Sequence, residues 1–145
     1  MKHIRRILCV ALACLVPACA LPAQGRAPGD ASGKIPYASG GASAAERTAL
    51  ATRRDDYNLR LVFGVHDSNA MVANVALTVD DVRRGRVFAL QGSGPLVFLK
   101  VPPGTYTVVA TSRGVEQRRR VTVDVAGGAR DLYFYWIRER APTRP

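Results

Sequence analysis

Cysteine is confined to the first 19 residues of this 145-residue sequence, as Cys9, Cys14 and Cys19. We expect the segment that holds them to be removed from the mature protein, for the reasons given below. The remaining chain would then have no thiol. That absence excludes disulfide cross-links, thiolate metal sites and a cysteine nucleophile.

Long apolar runs are also scarce. The longest spans residues 7–16, and it is too short for a spanning helix, which needs about 20 apolar residues. It follows a basic stretch and precedes the small residues of "PACALPA", which is the pattern of a secretory signal peptide. We therefore predict a signal peptide over residues 1–23, cleaved after Ala20 or Ala23, export to the periplasm, and no transmembrane segment in the mature chain.

A lipoprotein anchored through Cys19 is the alternative. "LVPAC" places Val16 three residues and Ala18 one residue before this cysteine, as in a lipid-attachment motif. Proline between them is atypical of that motif, and a usable signal-peptidase site lies just downstream. We therefore favour cleavage, with Cys19 discarded in the leader.

Lysine and acidic residues are few, whereas arginine is abundant. Removing Lys2, Arg5 and Arg6 from the 21 basic residues leaves 18 against 11 acidic ones, a net charge of +7. An exported basic protein rarely meets nucleic acid, so the partners to expect are an envelope protein or an anionic glycan. The alternative is that arginine only keeps the domain soluble.

Large apolar residues are almost missing from residues 21–43, which are rich in Gly, Ala, Ser and Pro. Such a segment cannot bury enough surface to offset its ordering entropy, so we predict a flexible linker over residues 24–56. Ser43 and Glu46 have the spacing of a capping box, which indicates a short helix within this linker. We expect that helix to be marginal and mobile, because Leu50 is its only large apolar residue.

From Tyr57 onward, short segments alternate apolar and polar residues and are separated by turn residues, with no helical period. Such a pattern favours an all-β fold, an antiparallel seven-stranded β-sandwich over residues 57–138, followed by a tail at 139–145. The seven predicted strands are 58–66, 73–81, 86–90, 96–101, 105–112, 116–125 and 131–138.

The strand period also predicts which side chains enter the core. Val108 should point inward, and so should Val121, Val123 and Val125 on the next strand. Gly104 ends a Pro-Pro-Gly corner, and we expect it to need a positive φ because such turns favour glycine for that conformation.

A family resemblance is carried by "VPPGTYTVVATSRG" at 101–114, preceded by "NVALTVDD" and followed by "RRRVTVDV". These segments resemble the carboxypeptidase regulatory-like, transthyretin-like domains, with their proline corner and Tyr-x-Val-x-Ala strand. The stretch 57–136 is most similar to the small standalone exported proteobacterial members. The resemblance implies an Ig-like or transthyretin-like sandwich and a non-enzymatic interaction or scaffolding role. The chain lacks the Asp-Gly-x-Phe/Tyr turn of many such domains, having "QGSGPLVFLK" there, which fits the standalone branch better.

Catalytic and metal-binding patterns are absent from the mature sequence. His66 is its only histidine, and one histidine without cysteine makes no recognisable zinc or iron set, so we interpret it as an exposed residue at a strand end. The related hydroxyisourate hydrolases need several histidines and a C-terminal Tyr-Arg-Gly-Ser, whereas this chain ends "YWIRERAPTRP". Intradiol dioxygenases need two histidines on iron, which this chain also lacks.

Acidic pairs and a serine were the other candidates for chemistry. The neighbours in Asp80–Asp81 point to opposite faces of a strand, so they form no acid/base dyad, and a calcium site there lacks the usual spacing. Ser93 has no nucleophile-elbow pattern around it. We predict that the protein is not an enzyme and has no cofactor and no metal.

The candidate binding residues are arginines and tyrosines. Arg118 and Arg120 share one face of a strand and Arg113 lies in the preceding turn, which could form an anion-binding surface or only a solvated face. Tyr133 and Tyr135 alternate on the last strand and could be core or a stacking platform for sugar rings. The sequence thus leaves two hypotheses: an envelope interaction or scaffolding module, or a glycan- or polyanion-binding protein that uses these residues.

The same strand period predicts the orientation of the arginine between Arg118 and Arg120. Arg119 should point to the opposite side, with its aliphatic stem over apolar neighbours and its guanidinium in water.

Overall fold

The computed structural model describes residues 35–138, which form eight strands, one α-helix and a 3₁₀ turn at Arg54–Asp56. The helix α1 is Ala44–Thr52. The strands are β1 (Tyr37–Gly40), β2 (Leu59–Val65), β3 (Val75–Asp81), β4 (Gly85–Ser93), β5 (Leu96–Leu99), β6 (Gly104–Ser112), β7 (Val115–Val123) and β8 (Arg130–Trp136).

The strands form two four-stranded sheets, in the orders β1-β5-β2-β8 and β4-β3-β6-β7. One cluster of buried residues takes side chains from both sheets, so the two layers share a single core. Every pairing is antiparallel except that of β2 with β8, which is parallel. A wholly antiparallel arrangement is therefore wrong at this pair. The chain reaches β8 from β7 in the other sheet, so no hairpin constrains its direction.

The predicted inward positions are largely confirmed. Val108, Val121 and Val123 are buried in the shared core. Val125 is 88% exposed, so its inward assignment is wrong. The reason is that β7 ends at Val123, and the strand period stops applying beyond that residue.

The predicted linker is wrong for residues 37–56, since they form a strand, a helix and a turn that pack on the sheet. Strand β1 pairs with β5 along its whole length and raises the strand count from seven to eight. The backbone N–H of Gly94 donates to Ser39 Oγ at 3.0 Å. A Cβ on Gly94 would lie 2.5 Å from the carbonyl oxygen of Gly40, so only glycine permits this close approach. The predictions of a signal peptide, an early linker and a tail concern residues 1–34 and 139–145, which lie outside the described residues.

The short helix is confirmed, and so is its capping box. Ser43 Oγ accepts a hydrogen bond from the Glu46 N–H at 3.2 Å, and the Glu46 carboxylate accepts in turn from the backbone N–H of Ser43. These bonds satisfy amide groups that the first helical turn leaves unpaired. Leu50 packs with Tyr57 and Phe98 in a small second cluster, so α1 covers part of the outer face of sheet β1-β5-β2-β8.

The proline corner is held by side chains and not by a special glycine conformation. Gly104 is not among the residues with positive φ; it is the first residue of β6 and pairs with Val123. The prediction of positive φ there is wrong, because the extended strand already begins at this residue. The Tyr106 hydroxyl donates to the carbonyl oxygen of Pro102, and the Asn58 amide bonds both backbone groups of Val101.

The β3–β4 turn is organised by a buried carboxylate. Asp81 Oδ1 accepts the backbone N–H groups of Arg83 and Arg84 at 2.8 and 3.1 Å. These hydrogen bonds, the Arg83 bond first, hold the pKa of Asp81 below its ordinary value against the opposing effect of burial. Asp80, its neighbour, faces outward and pairs with Arg86 at 3.0 Å. The two carboxylates therefore point apart, as the strand period predicts.

Candidate functional site

Arg118 and Arg120 lie on the outer face of sheet β4-β3-β6-β7, and both are exposed. Their cross-strand neighbours on β6 are Val109 and Thr107. Arg118 is bound to Glu116 by an ion pair of 3.2 Å. The predicted exposure of both arginines is confirmed, while anion binding by them stays a prediction.

The strand period of β7 determines the position of Arg119, and the turn of the β6–β7 hairpin determines that of Arg113. The guanidinium carbon of Arg119 lies 5.6 Å from the centroid of the Phe134 ring, so this side chain covers an apolar ring while the residue stays exposed, as predicted. Arg113 and Gly114 have φ values of 50° and 77°. Two such residues between paired strands form the type I′ turn that matches strand twist, and this turn fixes the end of the β6–β7 hairpin.

Tyr133 and Tyr135 lie on the outer face of the other sheet. They are 47% and 45% exposed, whereas Phe134 and Trp136 between and after them are buried in the core. Their rings are parallel within 4°, and their centroids are 6.3 Å apart. Neither phenol hydroxyl has a hydrogen-bond partner within residues 35–138. The two rings therefore form a pair of like orientation on solvent-facing sheet, which we call the tyrosine pair.

The structure does not bring the arginines and the tyrosine pair to one surface. Strands β7 and β8 are edge strands of different sheets, and they meet edge to edge. Gln117 Nε2 donates to the Tyr135 carbonyl oxygen at 2.6 Å, and Trp136 Nε1 donates to the Val115 carbonyl oxygen at 3.0 Å. The outward side chains of β7 and those of β8 therefore lie on opposite outer faces of the two-sheet structure. A joint arginine–tyrosine surface is therefore wrong, and Arg113 shares only an end of the sandwich with Tyr135.

A glycine beneath the tyrosine pair determines the position of the Tyr135 ring. In the parallel register of β2 and β8, Gly64 is the neighbour of Tyr135. A Cβ on Gly64 would lie 3.1 and 3.2 Å from two carbons of the Tyr135 ring. Those distances are tighter than ordinary contacts, so any larger residue would displace the ring. An aromatic side chain that covers a cross-strand glycine is a known stabilising device in sheets.

A polar loop lies beside Tyr135. An open pocket of about 510 Å³ is lined by Val65, His66, Asp67, Ser68, Asn69 and Tyr135. The loop is tied to the sheet because the Val65 N–H donates to the Ala70 carbonyl oxygen at 2.9 Å and the His66 N–H donates to the Trp136 carbonyl oxygen at 2.8 Å. The imidazole of His66 contacts the Asp67 carboxylate at 2.7 Å.

This loop is not among the candidate sites that the sequence predicts. The sequence predicts His66 as an exposed residue at a strand end, and the side chain is 60% exposed. The link between that loop and the tyrosine pair depends on the parallel β2–β8 register. No local pattern in the sequence reveals that register, although the spacing Tyr-x-Tyr was visible.

An ion-pair cluster lies at the other end of this face. The Asp131 carboxylate accepts from Arg60 at 2.6 and 3.2 Å and from Arg54 at 3.2 Å. The Arg60 side chain is only 11% exposed, so the bidentate pair satisfies a nearly buried guanidinium. Through Arg54 the cluster also ties the 3₁₀ turn to the sheet.

Within 35–138 no group of three or more His, Cys, Asp or Glu residues is placed to hold a metal ion. In the same part of the chain no helix has both the length and the apolar content to cross a membrane. Ser93 Oγ is buried and has no hydrogen-bond partner there.

Comparisons with known proteins add no neighbour. No family model, curated protein or solved structure matches the chain.

Proposed function

We propose that the protein is an exported, non-enzymatic interaction module of the cell envelope, and that the tyrosine pair is the centre of its contact surface. Two sheets around one core support the transthyretin-like, carboxypeptidase regulatory-like architecture that the sequence resembles. That family and the Ig-like identity of the sandwich are part of the proposal.

The exposed tyrosine pair carries the proposal. The outer face of an antiparallel or mixed sheet usually presents polar side chains to water. Here two large rings of one orientation are nearly half exposed on the last strand. Tyrosine is enriched at binding surfaces because its ring offers contact area at a low entropic cost while its hydroxyl stays available for hydrogen bonds.

The test compares the two outer faces in one experiment. The variants are Tyr133→Ser/Tyr135→Ser and, as a matched control, Arg118→Ser/Arg120→Ser on the opposite layer. The measurement is the fraction of purified mature protein that co-sediments with isolated envelopes. We expect the tyrosine variant to lose association at least about tenfold, equivalent to about 1.4 kcal/mol of binding free energy. The control should stay within about twofold of the wild type.

Two results would contradict this proposal. One is equal association of the tyrosine variant and the wild type. The other is loss of association only in the arginine control. Melting curves of both variants must remain close to that of the wild type, because all four side chains lie on solvent-facing positions.

A second candidate is binding of an anionic glycan or other polyanion through the arginines. One observation favours it: the guanidinium of Arg120 has no ion-pair partner within residues 35–138, unlike that of Arg118. A purely electrostatic contact should weaken with added salt and in Arg118→Ser/Arg120→Ser. Equal binding by that variant would leave the arginines as a solvated face.

Export is the remaining part of the proposal, supported by the basic N-terminus and the apolar run before "ACALPA". Mass spectrometry of periplasmic material should give a mature N-terminus at Leu21 or Gln24. An intact Met1 terminus or a lipid-modified Cys19 would contradict cleavage at these sites.

A further inference from the structure

We infer that the tyrosine pair and the loop 66–69 form one binding site for an uncharged pyranose oligosaccharide. The inference rests on the proposed function and specifies its ligand. It combines three observations: two parallel exposed rings, a pocket of hydrogen-bonding side chains beside them, and the position of the ion-pair cluster of Arg54, Arg60 and Asp131 at the other end of this face.

The rings supply the apolar half of the site. A pyranose ring has faces of C–H groups that stack on aromatic rings, and it carries hydroxyl groups around its edge. Tyr133 and Tyr135 occupy successive outward positions of β8, so their 6.3 Å separation follows the strand repeat. Because the two ring planes are parallel, a sugar ring that stacks on the free face of one tyrosine also lies parallel to the other. Gly64 keeps Tyr135 in this position by leaving room for its ring.

The loop supplies the polar half. Four of its side chains line the pocket together with Tyr135, and they include an imidazole, a carboxylate, a hydroxyl and an amide. This set holds both donors and acceptors, as the hydroxyls of a sugar require. The Asn69 amide forms no hydrogen bond within residues 35–138, and it is therefore available to a ligand. The volume of about 510 Å³ lies within the usual range of small-molecule sites.

Charge decides between an uncharged and an anionic sugar. On this face Asp67 contacts His66, and Asp131 is bound by Arg60 and Arg54. The arginines that could attract an anion, Arg118 and Arg120, lie on the outer face of the other sheet. A polyanion would find no cluster of free guanidinium groups here, whereas an uncharged glycan needs none.

The polar pocket also argues against an apolar protein partner. A protein contact centred on aromatic residues usually has a dry apolar core. Here the space next to Tyr135 is lined by polar side chains, and the Asn69 amide, which has no partner within residues 35–138, would be desolvated without one, which is unfavourable. A ligand with hydroxyl groups satisfies them.

The test is an NMR titration of the mature chain with chitotetraose and with cellotetraose, and with a heparin-derived tetrasaccharide as the anionic comparison. We expect at least one uncharged probe to shift the amide signals of 66–69 and of β8 with a Kd below about 10 mM. Tyr135→Ala should weaken that binding about tenfold or more. Asn69→Ala should weaken it several-fold, and Arg118→Ser/Arg120→Ser should leave it unchanged.

Several outcomes would overturn the inference. They are no response to either uncharged probe, shifts confined to the opposite layer, or tighter binding of the anionic probe that weakens with salt. Shifts at Tyr133 and Tyr135 on deletion of 139–145, with no response to sugar, would assign the face to the chain's own C-terminal segment. Concentration-dependent shifts alone would assign it to a second copy.

The two levels of the proposal fail differently. If envelope association depends on the tyrosine pair but no sugar binds, the ligand assignment is wrong and the interaction module stands. If Tyr133→Ser/Tyr135→Ser also leaves envelope association unchanged, both are wrong. A well-dispersed amide spectrum of each variant shows that lost binding does not come from unfolding.

Discussion

Strands β7 and β8 lie edge to edge and follow the same alternation, yet their outer faces differ in chemistry. The shared core takes Val121 and Val123 from β7, and Phe134 and Trp136 from β8 with Leu132 packed against it. The outward residues of β7 are Glu116, Arg118, Arg120 and Thr122, while those of β8 are Asp131, Tyr133 and Tyr135. The outward residues of β7 are all polar or charged, whereas β8 combines one carboxylate with two aromatic rings.

The two strands also use their charges differently. On β7 the pair Glu116–Arg118 is exposed on both sides, at 53% and 66%. On β8 the carboxylate of Asp131 pairs with the nearly buried Arg60. Exposed pairs contribute little to stability, whereas removing one partner of a buried pair leaves an uncompensated charge.

The largest expected effect on stability comes from removing the carboxylate that pairs with the nearly buried Arg60. Asp131→Ala should lower the free energy of unfolding by about 2 to 4 kcal/mol, somewhat less than for a fully buried pair because Asp131 itself is partly exposed. Glu116→Ala is the control and should cost less than about 1 kcal/mol. Urea unfolding curves measure both. Equal effects of the two substitutions would show that Arg60 does not depend on its partner.

The next effect tests where the core alternation of β7 ends. Val121→Ala removes buried methyl groups and should cost about 1 to 3 kcal/mol. Val125→Ala, two residues past the end of the strand, should stay within about 0.5 kcal/mol, because the side chain is 88% exposed. An unchanged melting temperature for Val121→Ala would show that the register of β7 is wrong.

Such contrasts show what local sequence can predict. Alternation located all seven strands of 57–138, but it left open which face of β8 is buried, because both Leu132, Phe134 and Trp136 on one face and the tyrosines on the other are large. It missed β1, whose four residues include only Tyr37 as a large apolar side chain. It also extended β7 to Val125, since a valine after a strand continues the pattern without belonging to the sheet.

The candidate site was predicted only in part, for a different reason. Tyr133 and Tyr135 were named from their spacing, but they were grouped with Arg118 and Arg120. Strand period fixes the face of a residue within its own sheet and says nothing about which sheet the strand joins. The contribution of the 66–69 loop depends on the parallel β2–β8 pairing, which joins residues about 70 positions apart.

A smaller effect probes the contact between the two edges. Gln117→Ala removes the hydrogen bond to the Tyr135 carbonyl oxygen and should cost about 0.5 to 1.5 kcal/mol. Arg120→Ala, which removes an outward side chain of the same strand, should cost no more than about 0.5 kcal/mol. Amide exchange at Trp136 should accelerate only in the glutamine variant. Unchanged exchange there would mean that the edges are held without this bond.

The smallest effect on stability should accompany a clear effect on the site. Gly64→Ala places a methyl group 3.1 Å from the Tyr135 ring, and the ring can move because it lies at the surface. The free energy of unfolding should change by less than about 1 kcal/mol. The ring signals of Tyr135 should shift, and envelope association should fall.

Gly128→Ala is the matched control for that change, since a Cβ there meets nothing within 4 Å. It should leave both the ring signals and the association as they are in the wild type. If Gly64→Ala behaves the same way, the glycine does not position the ring.

The parallel pairing of β2 with β8 has a consequence for the order in which the protein can fold. Arg60 and Asp131 meet across 71 residues of chain, so sheet β1-β5-β2-β8 gains its last strand only when nearly the whole domain has been synthesised. The β6–β7 hairpin needs no such wait, because its partners are close along the chain. Contacts between distant residues slow folding, since the entropy of closing the intervening loop is lost before they form. A chain that stops before Arg130 would leave the edge of β2 unpaired and the shared core without Phe134 and Trp136, and such a fragment should aggregate.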